Sequence, residues 1–236
     1  MSSDQPLPPP PGGPGPASGA GAPSFDFARS FSFPFQDPDW LTKVLIGGVF
    51  SMLGIFLVGN FFVLGYLAKL IRNVVAGVER PMPAWDDLGG YFVEGFKLAM
   101  VVLVFVLPAV LIMLLAVIPA AILEGQGEAV GGLVGAAVTC LMFPLIIAMM
   151  VFLPSALTRA AAQGRAGAAF ELGANFAYIK ANLVNYVLAI LVYIIANFVS
   201  QFGLLLLCVG VFFTGFLSMV MAAYAFGETY RLSPVK

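Results

Sequence analysis

Histidine is absent from this chain of 236 residues, and charged residues make up only 10 % of it. This absence removes the commonest metal ligand and the usual general base, and we expect no metal site, no cofactor site and no catalytic residues. The formal net charge is −1. A chain without a basic field does not hold nucleic acid, which excludes that class of function.

Cysteine is nearly as scarce as histidine. Cys140 and Cys208 both lie inside apolar stretches, where cysteine commonly acts as a small buried hydrophobe. We therefore expect neither a disulfide nor a metal pair between them. Residues 1–24 lack the basic start and apolar run of a cleavable signal peptide, so the first hydrophobic stretch is expected to serve as the membrane-targeting signal.

Residues 1–24 differ in composition from the rest of the chain, with eight prolines and five glycines. Such a segment buries too little apolar surface to offset the entropy of ordering it. We predict a disordered, solvated tail. The alternative is a ligand for a proline-binding domain, although the prolines lack an aromatic or arginine flank.

Apolar residues are abundant, at 61 % of the chain, whereas a soluble domain has about 45–50 %. Four stretches carry no charged residue: 44–68, 98–123, 129–158 and 181–227. The shortest has 25 residues, and about 20 residues suffice to cross the hydrocarbon core of a bilayer. We therefore predict an all-α polytopic membrane domain over 25–231, followed by a short tail at 232–236.

A short pattern occurs three times, each time shortly before an uncharged stretch. An acidic residue is followed by an apolar residue, a small residue, two further residues and phenylalanine, and an aromatic residue precedes each acid. We interpret each copy as the start of one repeated unit. The pattern residues are Asp26, Phe31, Trp85, Asp87, Phe92, Glu171 and Phe176.

The second copy suggests what the pattern forms. Its large apolar side chains are spaced by three and four residues and so share one helix face: Trp85, Leu88, Phe92 and Phe96. Aromatic residues at headgroup depth, with charges toward water, are typical of a helix lying in the membrane interface. We predict an interface helix for each copy; the alternative is an ordinary loop that contains aromatic residues.

If each copy introduces one unit, the chain forms three units of an interface helix plus a helical hairpin. The second hairpin turns at 124–128, and the third turns near 197–203, the polar cluster within its stretch. The first stretch, 44–68, is one membrane thickness when straight. It either crosses once or turns back near 54–60 as a short or re-entrant hairpin.

The positions of lysine and arginine favour the hairpin. Neither of the other two turns contains a basic residue, and a turn at 54–60 places all 11 basic residues on one side of the membrane. A single crossing would instead leave Arg29 and Lys43 outside. Because basic loops stay in the cytoplasm, we expect the C-terminus there and, with the hairpin, the N-terminus as well.

The middle of the spans holds little that could perform chemistry. It contains no Asp, Glu, Lys, Arg or His, which argues against a proton-coupled pump. Small residues recur every four positions in the last span, at Gly210, Thr214, Ser218 and Ala222. Such a row lets helices approach closely, either within the monomer, which we favour, or in a homo-oligomer.

Four short motifs, spread along the chain, together resemble one known family. They are Phe31-Ser-Phe-Pro-Phe-Gln-Asp-Pro-Asp-Trp40, Pro83-Ala-Trp-Asp-Asp87, Gly167-Ala-Ala-Phe170 and Tyr224-Ala-Phe-Gly-Glu-Thr-Tyr-Arg231. Together they resemble a prokaryotic family catalogued as domain of unknown function 4013, over roughly 24–231. The resemblance implies a multi-pass membrane protein without an assigned activity. Family members often carry a proline–glycine break in the first hydrophobic stretch, whereas this chain has Gly54 and no proline there.

The leading functional hypothesis is a non-enzymatic scaffold or accessory subunit of the prokaryotic inner membrane. Its expected partners are bilayer lipid and a membrane protein or a second copy of the chain. The second hypothesis is a transporter or channel for a small solute, which the internal repeats and the prolines within the spans suggest.

Overall fold

The computed structural model describes residues 24–122, 128–205 and 209–236, and these residues form helices without a β-strand. The α-helices are α1 (Arg29–Ser32), α2 (Trp40–Leu53), α3 (Val58–Val75), α4 (Leu88–Ile122), α5 (Glu128–Gln163), α6 (Leu172–Ala181), α7 (Leu183–Ser200) and α8 (Gly210–Arg231). Short 3₁₀ turns cover Phe33–Gln36, Gly54–Phe56, Ala166–Phe170 and Gln201–Leu205. The predicted tail up to residue 23, most of the turn at 124–128, and Cys208 lie outside the described residues.

Within the described part of the chain, five helices are long and apolar enough to cross a membrane: α3, α4, α5, α7 and α8. The predicted all-α polytopic class is therefore confirmed. Helix α5 runs without interruption through Pro144 and Pro154. Pro154 has no N–H to donate to the carbonyl of Met150, and one residue further on the carbonyl of Val151 accepts from the hydroxyl of Tyr186 on α7 at 2.6 Å.

The first hydrophobic stretch turns back on itself. Helix α2 ends at Leu53, a 3₁₀ turn follows, and Leu57 has a φ of 67° before α3 begins. The Asn60 amide closes the turn by donating to the Gly54 carbonyl at 3.1 Å. At the other end, Nζ of Lys43 on α2 donates to the carbonyl of Met82, beyond the end of α3, at 3.0 Å. The two helices therefore run antiparallel, and residues 44–68 form a hairpin rather than one straight span.

The third hairpin turns later than predicted. Helix α7 continues to Ser200, a 3₁₀ turn follows over Gln201–Leu205, and α8 begins at Gly210, so only the last part of the polar cluster lies beyond α7. Helix α8 returns against α7, and the hydroxyl of Thr214 donates to the carbonyl of Ser200 at 2.8 Å. Ala222 packs in the same apolar cluster as residues of α7, and Ser218 is buried. The Thr214 bond and the Ala222 packing place these members of the small-residue row against other helices of the same chain.

Helices α3 and α4 approach closely through glycines outside that row. A Cβ atom at Gly65 of α3 would overlap the carbonyl of Tyr91, and one at Gly95 of α4 would overlap the carbonyl of Phe61. The two backbones are therefore in direct contact. Beside this contact, the ring of Trp85 stacks on Tyr66 with centroids 4.3 Å apart. Glycine at both positions thus sets the distance between α3 and α4.

We expect Gly95→Ala to lower the free energy of unfolding by about 1–3 kcal/mol, because the added methyl group forces α3 and α4 apart. Gly89→Ala is the matched control, since Gly89 lies on the same helix with open space around its Cβ position. Denaturant unfolding of both variants in detergent measures the difference. Equal stability of the two variants would show that α3 and α4 do not touch at Gly95.

Candidate functional site at the charged end of the helices

The lysines and arginines gather at one end of the helices. Helices α3, α5 and α8 finish at this end, and helices α2, α4 and α7 begin there. Contacts across it include Arg72 Nη1 to Glu94 Oε1 at 2.8 Å, joining α3 to α4, and Gln163 Nε2 to the Tyr230 hydroxyl at 3.4 Å, joining α5 to α8. We call this region the charged end.

Two of the three pattern acids cap backbone at the charged end. Oδ1 of Asp26 accepts the N–H of Arg29 at 2.9 Å, and Oδ1 of Asp87 accepts the N–H of Gly90 at 2.8 Å. A short carboxylate three residues before the N–H it accepts is the usual geometry at a helix start, and it also lies at the positive end of the helix dipole.

The pattern segments adopt different structures. The first forms α1 and a 3₁₀ turn, bent by 104° from the following helix. The third forms α6, which a non-helical backbone at Asn182 separates from α7. The second differs from the prediction, because α4 runs from Leu88 to Ile122 without a break and no separate interface helix forms there. No proline lies between Phe92 and the apolar part of α4, so each residue there can donate its backbone N–H and the helix continues.

The pattern aromatics also divide into two groups. Trp85 was expected on the same face as Phe92, but it lies inward, and its Nε1 donates to the carbonyl of Lys43 at 3.0 Å. It precedes the first residue of α4, so helical spacing does not apply to it. Phe31 is half-buried, 5.4 Å from Phe27 between ring centroids. Phe92 and Phe176 are exposed, Phe176 by 58 %.

A buried arginine, which the sequence did not single out, organises the third segment. Arg159 lies near the end of α5 and is 2 % exposed. Its Nη1 donates to the carbonyl of Ala168 at 3.0 Å and to Oδ1 of Asn175 at 3.1 Å, and its Nη2 donates to Oε2 of Glu171 at 3.0 Å. Asn175, fully buried, donates in turn to the carbonyl of Ala169 at 2.7 Å. We call this set of bonds the arginine clamp.

Glu171 belongs to the clamp instead of capping a helix. Its Oε1 accepts from Nη2 of Arg165 at 2.6 Å, so two guanidinium groups share one carboxylate. Hydrogen bonds from Arg159 and then Arg165 hold the pKa of Glu171 below its usual range. The carboxylate is therefore ionised at neutral pH, and the clamp is a charge-assisted contact between α5 and the start of α6.

The clamp holds residues 166–176 over α4 and α5, and a groove of about 750 Å³ lies beneath them. The rings of Phe105 on α4 and Phe170 stack with centroids 6.0 Å apart, which joins this overhang to α4. We call this space the overhang groove. Its lining is apolar and comprises Val104, Phe105, Pro108, Leu145, Ala148, Met149, Phe152, Phe170, Leu172, Gly173 and Phe176.

A second cavity, of about 450 Å³, lies between α3, α4, α5, α7 and α8. Hydroxyl groups of Thr158 and Tyr193 are its polar side-chain groups, and no carboxylate, ammonium or guanidinium lines it. Among the described residues, no three Cys, Asp or Glu side chains are placed to hold a metal ion. The cavity suits an apolar molecule rather than an ion or a metal cofactor.

We expect Arg159→Gln to lower the free energy of unfolding by about 2–3 kcal/mol, because buried acceptors lose a charged donor. Arg165→Gln is the control: its side chain is 60 % exposed, and an exposed ion pair contributes about 0–1 kcal/mol. Thermal unfolding in detergent compares the two variants. Should Arg165→Gln prove the more damaging, the clamp would not be what holds α6.

The comparisons with known proteins agree with the resemblance predicted from the sequence motifs. No curated protein and no solved structure matches the chain. A family described as "Protein of unknown function (DUF4013)" matches residues 48–209, which include helices α3 to α7 and the arginine clamp. Since this match covers more than half of the sequence, the chain belongs to the DUF4013 family.

Proposed function

We propose that this protein is a non-enzymatic scaffold or accessory subunit of the prokaryotic inner membrane. The observation that carries the proposal is the charged end, where exposed aromatic side chains lie beside lysines and arginines. The exposed aromatics at this end are Phe35, Phe170 and Phe176, whereas Phe92 and Phe96 contact Phe61 near the start of α3. Rings at headgroup depth next to cations bind the interface of a bilayer, and the same surface can receive a membrane protein or a second copy of the chain.

The polar groups inside the helices support a structural role over catalysis. Ser155 and Thr158 are buried, and Oγ of Ser155 lies 3.4 Å from Oδ1 of Asn175, an amide oxygen that cannot act as a base. A nucleophile needs a base within hydrogen-bond reach. Arg159, the ionisable neighbour of Asn175, is held by the clamp and donates only.

The cavity between α3, α4, α5, α7 and α8 favours transport of a small apolar solute as the second candidate function. Five helices surround it, and its lining is nearly free of polar groups. An ion would lose its hydration there without compensation, so a channel for ions is disfavoured relative to a carrier of an apolar molecule.

The two functions differ in a flux measurement. For a scaffold, we expect proteoliposomes containing the purified full-length chain to take up ions and small apolar solutes at the rate of protein-free liposomes. Met150 and Met219 line the cavity, so Met150→Trp/Met219→Trp fills it and separates transport from leakage. Uptake that this double variant abolishes would replace the scaffold with the transporter.

We further propose that the charged end faces the cytoplasm, with both termini on that side. The support is that all 11 lysines and arginines lie within the described residues at or near this end.

Cysteines placed singly at Ser32 and at Lys180, after replacement of Cys140 and Cys208 by alanine, are expected to resist an impermeant maleimide in intact cells. Both are expected to react after the membrane is opened. Phe56→Cys, in the turn of the first hairpin, measures labelling at the end of the helices opposite the charged end. Labelling of Ser32→Cys or Lys180→Cys in intact cells would reverse the proposed orientation.

A further inference from the structure

We propose that the overhang groove is a binding site for an anionic phospholipid, with one acyl chain in the groove and the phosphate at Lys97 and Arg165. The inference rests on the proposed function in placing the charged end at the headgroup layer. It goes further by naming the class of lipid and the residues that select it.

The shape of the groove fits an acyl chain. Its lining is apolar throughout, and its walls come from α4, α5 and the overhang. Gly173 lines it without a side chain, and a Cβ atom there would meet no atom within 4 Å, so the groove is open at this point. The arginine clamp and the Phe105–Phe170 stack hold the overhang in place, so the groove is formed before any lipid enters.

Cations lie at the end of the groove where a headgroup would sit. Lys97 lies seven residues before Val104, on the same face of α4, and is therefore about two helical turns nearer the charged end. Its side chain is 51 % exposed, and its Nζ lies 3.9 Å from Glu94, a loose pair. Arg165 follows the end of α5 on the side of the overhang and is likewise exposed.

Lys97 and Arg165 each share their carboxylate with a less exposed arginine. Four cations share two carboxylates: Arg72 and Lys97 meet at Glu94, while Arg159 and Arg165 meet at Glu171. The two groups are close together, since Nη1 of Arg72 contacts both Glu94 and, at 3.5 Å, the carbonyl of Ala161 on α5. A phosphate without an ammonium group would give the exposed Lys97 and Arg165 an anionic partner, whereas a zwitterionic headgroup adds a further cation.

The test uses the purified full-length chain in nanodiscs of equal parts phosphatidylglycerol and phosphatidylcholine, from which the protein is released and its retained lipid is counted by native mass spectrometry. Wild type is expected to retain phosphatidylglycerol over phosphatidylcholine by about thirtyfold, as expected for two basic contacts at an anionic headgroup. Lys97→Gln/Arg165→Gln is expected to lose this preference and to retain both lipids equally. Equal retention of both lipids by wild type would overturn the proposal.

A second variant tests the groove itself. Gly173→Leu fills it and is expected to release the retained lipid, whereas Gly135→Leu, in open space on the exposed surface of α5, is expected to keep it. If Gly173→Leu fails to fold, phosphatidylglycerol with a photoreactive acyl chain decides: it must label the peptide containing Phe176 in wild type, and labelling elsewhere alone overturns the site. Solute uptake by proteoliposomes would remove the scaffold and leave this lipid site standing.

Discussion

Moving a charged side chain into hydrocarbon costs several kcal/mol unless it is paired, and this penalty determines where the charges of the chain lie. Each hairpin leaves and returns at the same end, because the turn between its two helices contains no lysine or arginine. The first hairpin shows the constraint most clearly. A straight helix over 44–68 would separate Lys43 from Lys69 by the thickness of a membrane, whereas the turn at Gly54–Leu57 keeps both at one end.

The same constraint explains what the sequence could and could not reveal. Hydrophobic length and the absence of charge located the helices, and the distribution of basic residues indicated the reversal near Gly54. The arginine clamp could not be found in this way, because Arg159 and Glu171 are twelve residues apart and meet only when the overhang packs on α5. In the sequence, the clamp is visible only as an arginine directly after an uncharged stretch, followed by a single acidic residue. Charged residues that lie in solvent produce the same pattern, so the sequence does not distinguish a buried arginine from an exposed one.

The three copies of the repeated pattern show how one additional methylene group changes the outcome. Aspartate is short enough to reach an N–H three residues ahead, as Asp26 and Asp87 do. Glutamate reaches further, and Glu171 extends to two arginines instead. A pattern defined by charge alone does not distinguish the two cases. Trp85 shows a different limit, because it precedes the first residue of α4 and helical spacing does not determine where it lies.

The length of α4 links the clamp to the proposed role at a bilayer. Its 35 residues extend about 52 Å at 1.5 Å each, well beyond a hydrocarbon core of about 30 Å. The first turns of α4 carry Glu94 and Lys97, and Glu94 pairs with Arg72, which also contacts α5 two residues after Arg159. An arginine that only kept this end of the helices in the cytoplasm could lie in solvent, whereas Arg159 is buried in protein. An arginine buried there stabilises a defined surface, and a defined surface at headgroup level is what recognition of a lipid or a partner requires.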